Sequence, residues 1–191
     1  RWFAPLGEIT ARLHLQSRQW TPPPGFTRKR WDVKTILGPA PHWGHWRQAQ
    51  GLDRDGMALL ARATDALATR LSSHGTGPES FGLIHADLRL AHLMTDGESL
   101  TVIDFDDCGF GWWAYDLAAA LSFYETDPRL PDLIARWVEG YTRIAPLRPE
   151  DRAMIPSLIF LRRVLLTAWL ATRADSDTAQ GFGGPAYTQG T

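Results

Sequence analysis

Apolar residues recur every three or four positions in five stretches of this chain, and the segments between them break that period with proline, glycine or short apolar runs. In Pro5–Trp20 the positions Leu6, Ile9 and Leu13 predict a helix, with Pro5 in the first turn, where a missing N–H costs nothing. Met57, Leu60, Ala63, Leu67 and Leu71 predict a second helix, closed by Gly75-Thr76-Gly77-Pro78. Ala114–Tyr124, Asp132–Thr142 and Asp151–Thr172 predict three more, with Pro128, Pro131, Pro146 and Pro149 as stops. Between the second and third helices the period changes. Phe81–Ile84, Ala91–Met94 and Leu100–Ile103 are short apolar runs of strand length, and Asp96-Gly97 between the last two is a hairpin signal. Thr21 to Gln50 carries Pro22-Pro23-Pro24-Gly25, Gly38-Pro39-Ala40-Pro41 and Gly44, with Trp20, Trp31, Trp43 and Trp46 interspersed. This reads as a long ordered crossing pinned by its indoles, with short helical turns near Trp31–Leu37. Residues 174–191 read as a loose tail. There is no internal repeat. The pattern predicts an α+β, mostly helical single domain over residues 1–191, with a small β-hairpin insertion that carries a dense cluster of ionisable residues.

Apolar residues at 44% and charged residues at 21% suit a globular chain and exclude disorder, collagen-like repeats and a disulfide miniprotein. A formal charge of −1, from 20 basic and 21 acidic residues, removes the attraction that a nucleic acid polymer or an anionic membrane needs. Cys108 is the single cysteine, so an intramolecular disulfide is impossible and a cytoplasmic location is the simplest expectation. No long apolar run or signal-like start is visible. Lysine occurs only as Lys29 and Lys34, so a mechanism needing a lysine has two candidates. The chain opens at Arg1 directly before a core-facing helix, as though a larger protein began upstream.

The ionisable cluster reads His85-Ala86-Asp87-Leu88-Arg89-Leu90-Ala91-His92, then Ile103-Asp104-Phe105-Asp106-Asp107, then Tyr115-Asp116-Leu117-Ala118. Charged groups directly after apolar strands emerge at strand ends, where a loop presents them to a ligand. Two strands paired through the hairpin would bring Asp87 and Asp104 together. Carboxylates that close repel, and the remedies are a shared proton, a basic neighbour or a divalent cation. Asp106 and Asp107 fit a turn, a second metal contact or an acidic wall for a cationic substrate. Trp112, Trp113 and Tyr115 fit either core or an aromatic surface against an amine. His42 and His45 have a metal-compatible spacing, but two histidines are too few and packing explains them. His14 and His74 suit packing or helix ends, and Cys108 an inert buried thiol.

These motifs resemble the catalytic core of the aminoglycoside phosphotransferase and choline kinase family, relatives of the protein kinases. That family shows His-x-Asp followed by four residues and Asn, then a hydrophobic strand ending in Asp, then a second Asp opening a helix. Ala11-Arg12-Leu13-His14 and Tyr115-Asp116-Leu117-Ala118 extend the likeness from Leu6 through the last helix. The resemblance implies the C-terminal lobe of the protein kinase-like fold and transfer of the γ-phosphate of ATP to a hydroxyl of a small molecule, such as an aminoglycoside, amino alcohol or similar amine. It implies Asp87 as acceptor of the hydroxyl proton and Asp104 as ligand to Mg2+, or Mn2+, at the nucleotide phosphates. Asp116 would brace the loop through its backbone N–H groups, with His85 a structural member of that loop and Arg89 an offset to its acidic charge. Asp106, Asp107, Trp112 and Trp113 become candidates for the substrate side.

Two departures accompany the likeness. His92 stands where the family has Asn as a metal ligand, and imidazole is a softer donor that suits zinc, nickel or manganese better than magnesium. No Gly-rich loop opens a strand pair, and no strand lysine pairs with a helix glutamate. The nucleotide-gripping N-terminal lobe is therefore expected to lie outside residues 1–191, and the chain alone to be inactive or nearly so. Three alternatives stand beside this reading. One is a non-catalytic kinase-like binding module, and another a protein Ser/Thr kinase of the same fold. The third is a hydrolase: His85, Asp87 and His92 form a hydrolytic metal site in one version, and in the other Ile103-Asp104-Phe105-Asp106 is similar to the first motif of haloacid dehalogenase-like phosphatases. Those enzymes need a downstream lysine, and none follows Lys34.

Overall fold

Helix α1 (Phe3–Gln19) buries Phe3, Leu6, Gly7, Thr10, Ala11 and His14, a stripe at helical spacing that passes beside Ile9 and Leu13. Two polar side chains therefore face the interior and need partners. Thr10 Oγ1 donates to Leu6 O at 2.7 Å; the partners of His14 belong to the site described below. The computed structural model describes all 191 residues, and in it α1 packs along α5 (Leu130–Ile144). Glycines let the two backbones close. A Cβ at Gly7 would lie 2.1 Å from Trp137 O, and one at Gly140 1.9 Å from Ala4 O.

Where one domain was expected, contacts divide the chain into two compact units, Arg1–Trp31 with Gly75–Ile159 and Asp32–His74 with Phe160–Thr191. The division follows from the Trp-rich crossing, whose Trp46 forms a core with Leu60, which follows it closely, and with Val164 and Ala168, far along the chain.

In the first unit, β1 (Lys29–Arg30), β5 (Gly109–Trp112) and β2 (Phe81–Ile84) form a sheet in the order β1-β5-β2. β1 runs parallel to β5, and β2 antiparallel to it with Phe81 opposite Trp112. β3 (Leu93–Thr95) and β4 (Leu100–Val102) form the expected hairpin, separate from that sheet. In its turn the Asp96 carboxylate accepts the Glu98 and Ser99 N–H groups at 3.0 and 2.8 Å, which holds its pKa down to about 2, and Gly97 takes a φ of 103°. The strands behind Asp87 and Asp104 are thus not partners of each other, contrary to the expectation from the hairpin. The catalytic-loop candidate links two sheets, because β2 finds its partner in β5, a strand the sequence reading had missed.

Trp112 and Trp113, candidates for a substrate surface, are core residues with 1% and 3% exposure. Trp112 Nε1 donates to Gly75 O at 2.8 Å, and the Trp113 ring covers Gly82 so closely that an added Cβ would meet it at 2.0 Å. Burying such large indoles returns more free energy than presenting them to water. Helix α4 (Tyr115–Ala120) is buried at every position and ends sooner than Ala114–Tyr124 predicted.

The second unit contains α2 (Val33–Ile36), α3 (Arg54–His74), the later part of α6 (Pro149–Thr172), α7 (Asp177–Gly181) and α8 (Gly184–Gln189). Asp32 caps α2 reciprocally with Thr35. Trp46, Leu60, Val164 and Ala168 form its core, joined by Leu37, Leu52, Met57, Ala61 and Phe160. The crossing is pinned as expected: Arg162 lies 5.0 Å from the Trp43 ring, and Thr172 Oγ1 donates to Trp43 O at 3.0 Å. Residues 174–191 are not a loose tail. They form α7 and α8, and Arg163 donates to Tyr187 O and to Thr191 Oγ1, both at 3.1 Å. An arginine that is 9% exposed needs acceptors, and the C-terminal segment supplies them. Nor is the chain free of long apolar stretches. By length and composition α6 could cross a membrane, yet 72% of its most apolar window is buried and it carries buried Arg162 and Arg163, as in a core helix.

Candidate active site

After β2 the chain turns at Ala86, whose φ of 67° is a conformation that glycine reaches more easily. Asp116, fully buried in the first turn of α4, holds that turn: Oδ1 accepts from Ala86 N at 2.7 Å and Oδ2 from His85 N at 3.1 Å. The same Oδ2 faces His14 Nε2 at 3.1 Å, and His14 Nδ1 lies 3.0 Å from the Tyr141 hydroxyl. A carboxylate only accepts, so His14 donates through Nε2, while its Nδ1 pairs with the Tyr141 hydroxyl. The result is a polar chain from α5 through α1 and α4 to the loop, with every member partnered in a buried setting.

Burial pushes the Tyr141 hydroxyl from its ordinary 10 up to about 12. Between those pH values the folded protein retains a proton that the unfolded chain has lost. Stability is therefore full below about pH 10 and falls by roughly 3 kcal/mol as pH rises to 12. Denaturant titrations across that window should show the fall in the parent, and Tyr141→Phe should flatten it.

His85 ties the loop to the exit of β4. Its Nδ1 accepts from Asp87 N at 3.3 Å and its Nε2 donates to Ile103 O at 3.1 Å. The Asp87 side chain is 13% exposed, with Oδ2 3.3 Å from Arg89 Nε and 3.4 Å from His92 Nδ1. His92 Nδ1 also donates to Asp87 O at 2.8 Å, which leaves Nε2 as the acceptor of Arg89 Nη2 at 2.8 Å. That Nε2 is 3.3 Å from Asp104 Oδ2. Asp87 and Asp104 accordingly meet across His92, one at each ring nitrogen. Asp104 has a φ of 64° and a side chain 44% exposed, so its carboxylate is both conformationally set and open to solvent.

The remaining candidates lie elsewhere. Asp107 pairs with Lys29, and Asp106 is exposed on the loop after Asp104. Burial pushes the Cys108 thiol above its ordinary value, which makes it a poor nucleophile. No three His, Cys, Asp or Glu side chains are grouped so as to hold a metal by themselves. Sequence alone points His14 to packing or a helix end and singles out nothing at Tyr141. The available signal was a histidine in register with Gly7 and Ala11 on the core face of α1, a position where a polar ring requires a partner.

The sequence matches the profile of the phosphotransferase enzyme family, APH, over residues 1–153. The solved microcompartment-associated aminopropanol kinase is 47% identical with a TM-score of 0.91, over 99% of this chain and 59% of that one. The amicoumacin kinase of Bacillus subtilis (strain 168) is 25% identical over 186 residues, 92% of this chain and 52% of its own length. The homoserine kinase of Gluconobacter oxydans (strain 621H) is 30% identical over 183 residues, 90% of this chain and 55% of its own. The chain therefore spans about half the length of these curated relatives, and its mostly helical fold is kinase-like. The profile match takes in the braced loop, Asp104 and Asp116 together, and this chain belongs to the phosphotransferase enzyme family.

Proposed function

We propose that residues 1–191 form the catalytic and substrate-binding lobe of a kinase that transfers the γ-phosphate of ATP to the hydroxyl of a small amino alcohol. The observation that carries this reading is the meeting of Asp87 and Asp104 across His92, the first held by Arg89 and the second open to solvent. Phosphoryl transfer has a loose transition state, so its catalysis is mainly positioning and charge stabilisation. Asp87 orients the acceptor hydroxyl and takes its proton at Oδ. Arg89 keeps that carboxylate in place and offsets local negative charge.

Asp104 supplies a hard, exposed oxygen donor, which fits a magnesium or manganese ion that draws its other ligands from phosphates and water. The lack of a three-residue cage is compatible with such a shared site. When bound, the ion would neutralise charge on the phosphate oxygens. His92 can join Asp104 as a ligand only where Arg89 releases Nε2. For the acceptor, the relatives named for aminopropanol and homoserine support a small amino alcohol.

The test is ADP release by the protein in its full reading frame, with aminopropanol, homoserine and a panel of amino sugars, under Mg2+ and Mn2+. Phosphorylation of an amino alcohol is the expected result, and no turnover with any acceptor would end the proposal. A second reading, a non-catalytic relative, draws on the same His92, whose Nε2 is already engaged by Arg89 beside the metal-binding carboxylate. His92→Asn separates the two. An active parent is expected to prefer Mn2+, with the variant shifting roughly tenfold toward Mg2+. An inert parent rescued by the variant would favour the non-catalytic reading.

A further inference from the structure

The loop that presents Asp104 has no ladder or helix of its own. Residues 103–108 lie between β4 and β5, Phe105 is 45% exposed, and Asp104 takes a left-handed φ of 64°, a conformation that aspartate tolerates and that neighbouring contacts hold in place. Before Asp104 the loop is held at Ile103, whose O accepts from His85 Nε2 at 3.1 Å and whose N donates to His92 O at 3.0 Å; after Asp104 it is held by one short segment, residues 28–31. Arg28 Nη2 donates to Phe105 O at 2.6 Å and to Asp106 O at 3.0 Å, while Nε donates to Cys108 O at 2.7 Å. Trp31 Nε1 takes the Asp107 carbonyl at 2.9 Å, and the Lys29 ammonium pairs with the Asp107 carboxylate. β1 anchors this segment by running parallel to β5, with Trp31 N donating to Phe110 O at 2.7 Å.

The geometry assigns to Arg28 the role of a positioning residue for Asp104, an inference that rests on the proposed kinase reading. Arg28 sets the aim of the metal-binding carboxylate by gripping the backbone that follows it, and it touches neither reacting group. A planar guanidinium sends donors in several fixed directions and so closes on three carbonyls at once. An ammonium is a compact head on a flexible stem and does not reproduce that grip. With the grip lost, the loop samples other turns and Asp104 is no longer held over the site, so the cation is held less well, while Asp87, which orients the acceptor hydroxyl, lies outside the gripped segment.

The experiment compares Arg28→Lys, Arg28→Ala and Asp104→Asn with the parent, each in the full reading frame. It measures kcat, the acceptor KM, the half-saturating concentration of Mg2+ or Mn2+ at fixed ATP, the thermal midpoint, and hydrogen exchange over residues 103–110. Arg28→Lys should raise the half-saturating metal concentration by roughly tenfold or more and lower kcat, with Arg28→Ala larger in the same sense. The acceptor KM and thermal midpoint should hold, and exchange should quicken in 103–110 alone. Unchanged metal dependence in both Arg28 variants, with Asp104→Asn inactive, would overturn the assignment. A uniform fall of kcat, acceptor affinity and thermal midpoint would also overturn it, as the mark of a merely structural residue. Full activity in Asp104→Asn would sink the kinase reading instead; exchange then decides on Arg28, and unchanged exchange in both variants counts against it.

Discussion

Asp87→Asn in the full-length protein should lower kcat for phosphotransfer by roughly 10²- to 10⁴-fold, the range that a positioned general base contributes. The amide is nearly isosteric. Its oxygen can still accept from Arg89 Nε, now 3.3 Å from Asp87 Oδ2, so the loop should keep its shape. What the amide cannot do is take a proton from the attacking hydroxyl. The expected signature is therefore a collapse in kcat with little change in the acceptor KM or in the melting temperature. ADP release and calorimetry on the same preparation measure both. A loss smaller than about threefold would remove Asp87 from the reaction.

The largest expected effect on stability comes from Asp116→Ala. Asp116 is completely buried, and its oxygens accept from the His85 and Ala86 N–H groups and from His14 Nε2. Truncation strands those donors away from water and opens a small void beneath a backbone turn already at a φ of 67°. Breaking a buried network of this kind costs about 3–5 kcal/mol, a large share of the roughly 5–15 kcal/mol that holds a domain together. Asp116→Asn should cost less, because one oxygen remains to accept, although its amide must then face an N–H. Urea unfolding of residues 1–191 measures this without any need for activity. A shift below about 1 kcal/mol would show that water or a rearranged loop satisfies the stranded groups.

Both predictions use residues whose place was readable from motif order, and the long helices were readable as well. α1, α3, α5 and α6 lie where the 3.6-residue stripe puts them, and β2 has the limits of its apolar run, whereas Pro131 and Pro149 open α5 and α6 instead of stopping short of them and Pro156 lies inside α6. The stripe is local, since it selects a helix face within a few residues, and a proline in a first turn lacks an N–H that has no partner there anyway. β5 was not readable, because Gly109-Phe110-Gly111-Trp112 has weak strand propensity and becomes a strand through pairing with β1 on one side and β2 on the other. The same pairing turned Trp112 and Trp113 from candidate substrate contacts into core.

The amino-acid sequence by itself determined the long helices, the hairpin at Asp96-Gly97 and the order of the candidate residues, from Asp87 through His92 and Asp104 to Asp116. Tertiary structure alone decided that His14 braces Asp116 from 102 positions away, and that Arg28 grips a loop 77 to 80 positions further on. It also decided that the two aspartates meet across an imidazole. Periodicity and residue type act over a few residues of chain, whereas a buried donor and its acceptor find each other only once the core has closed around them.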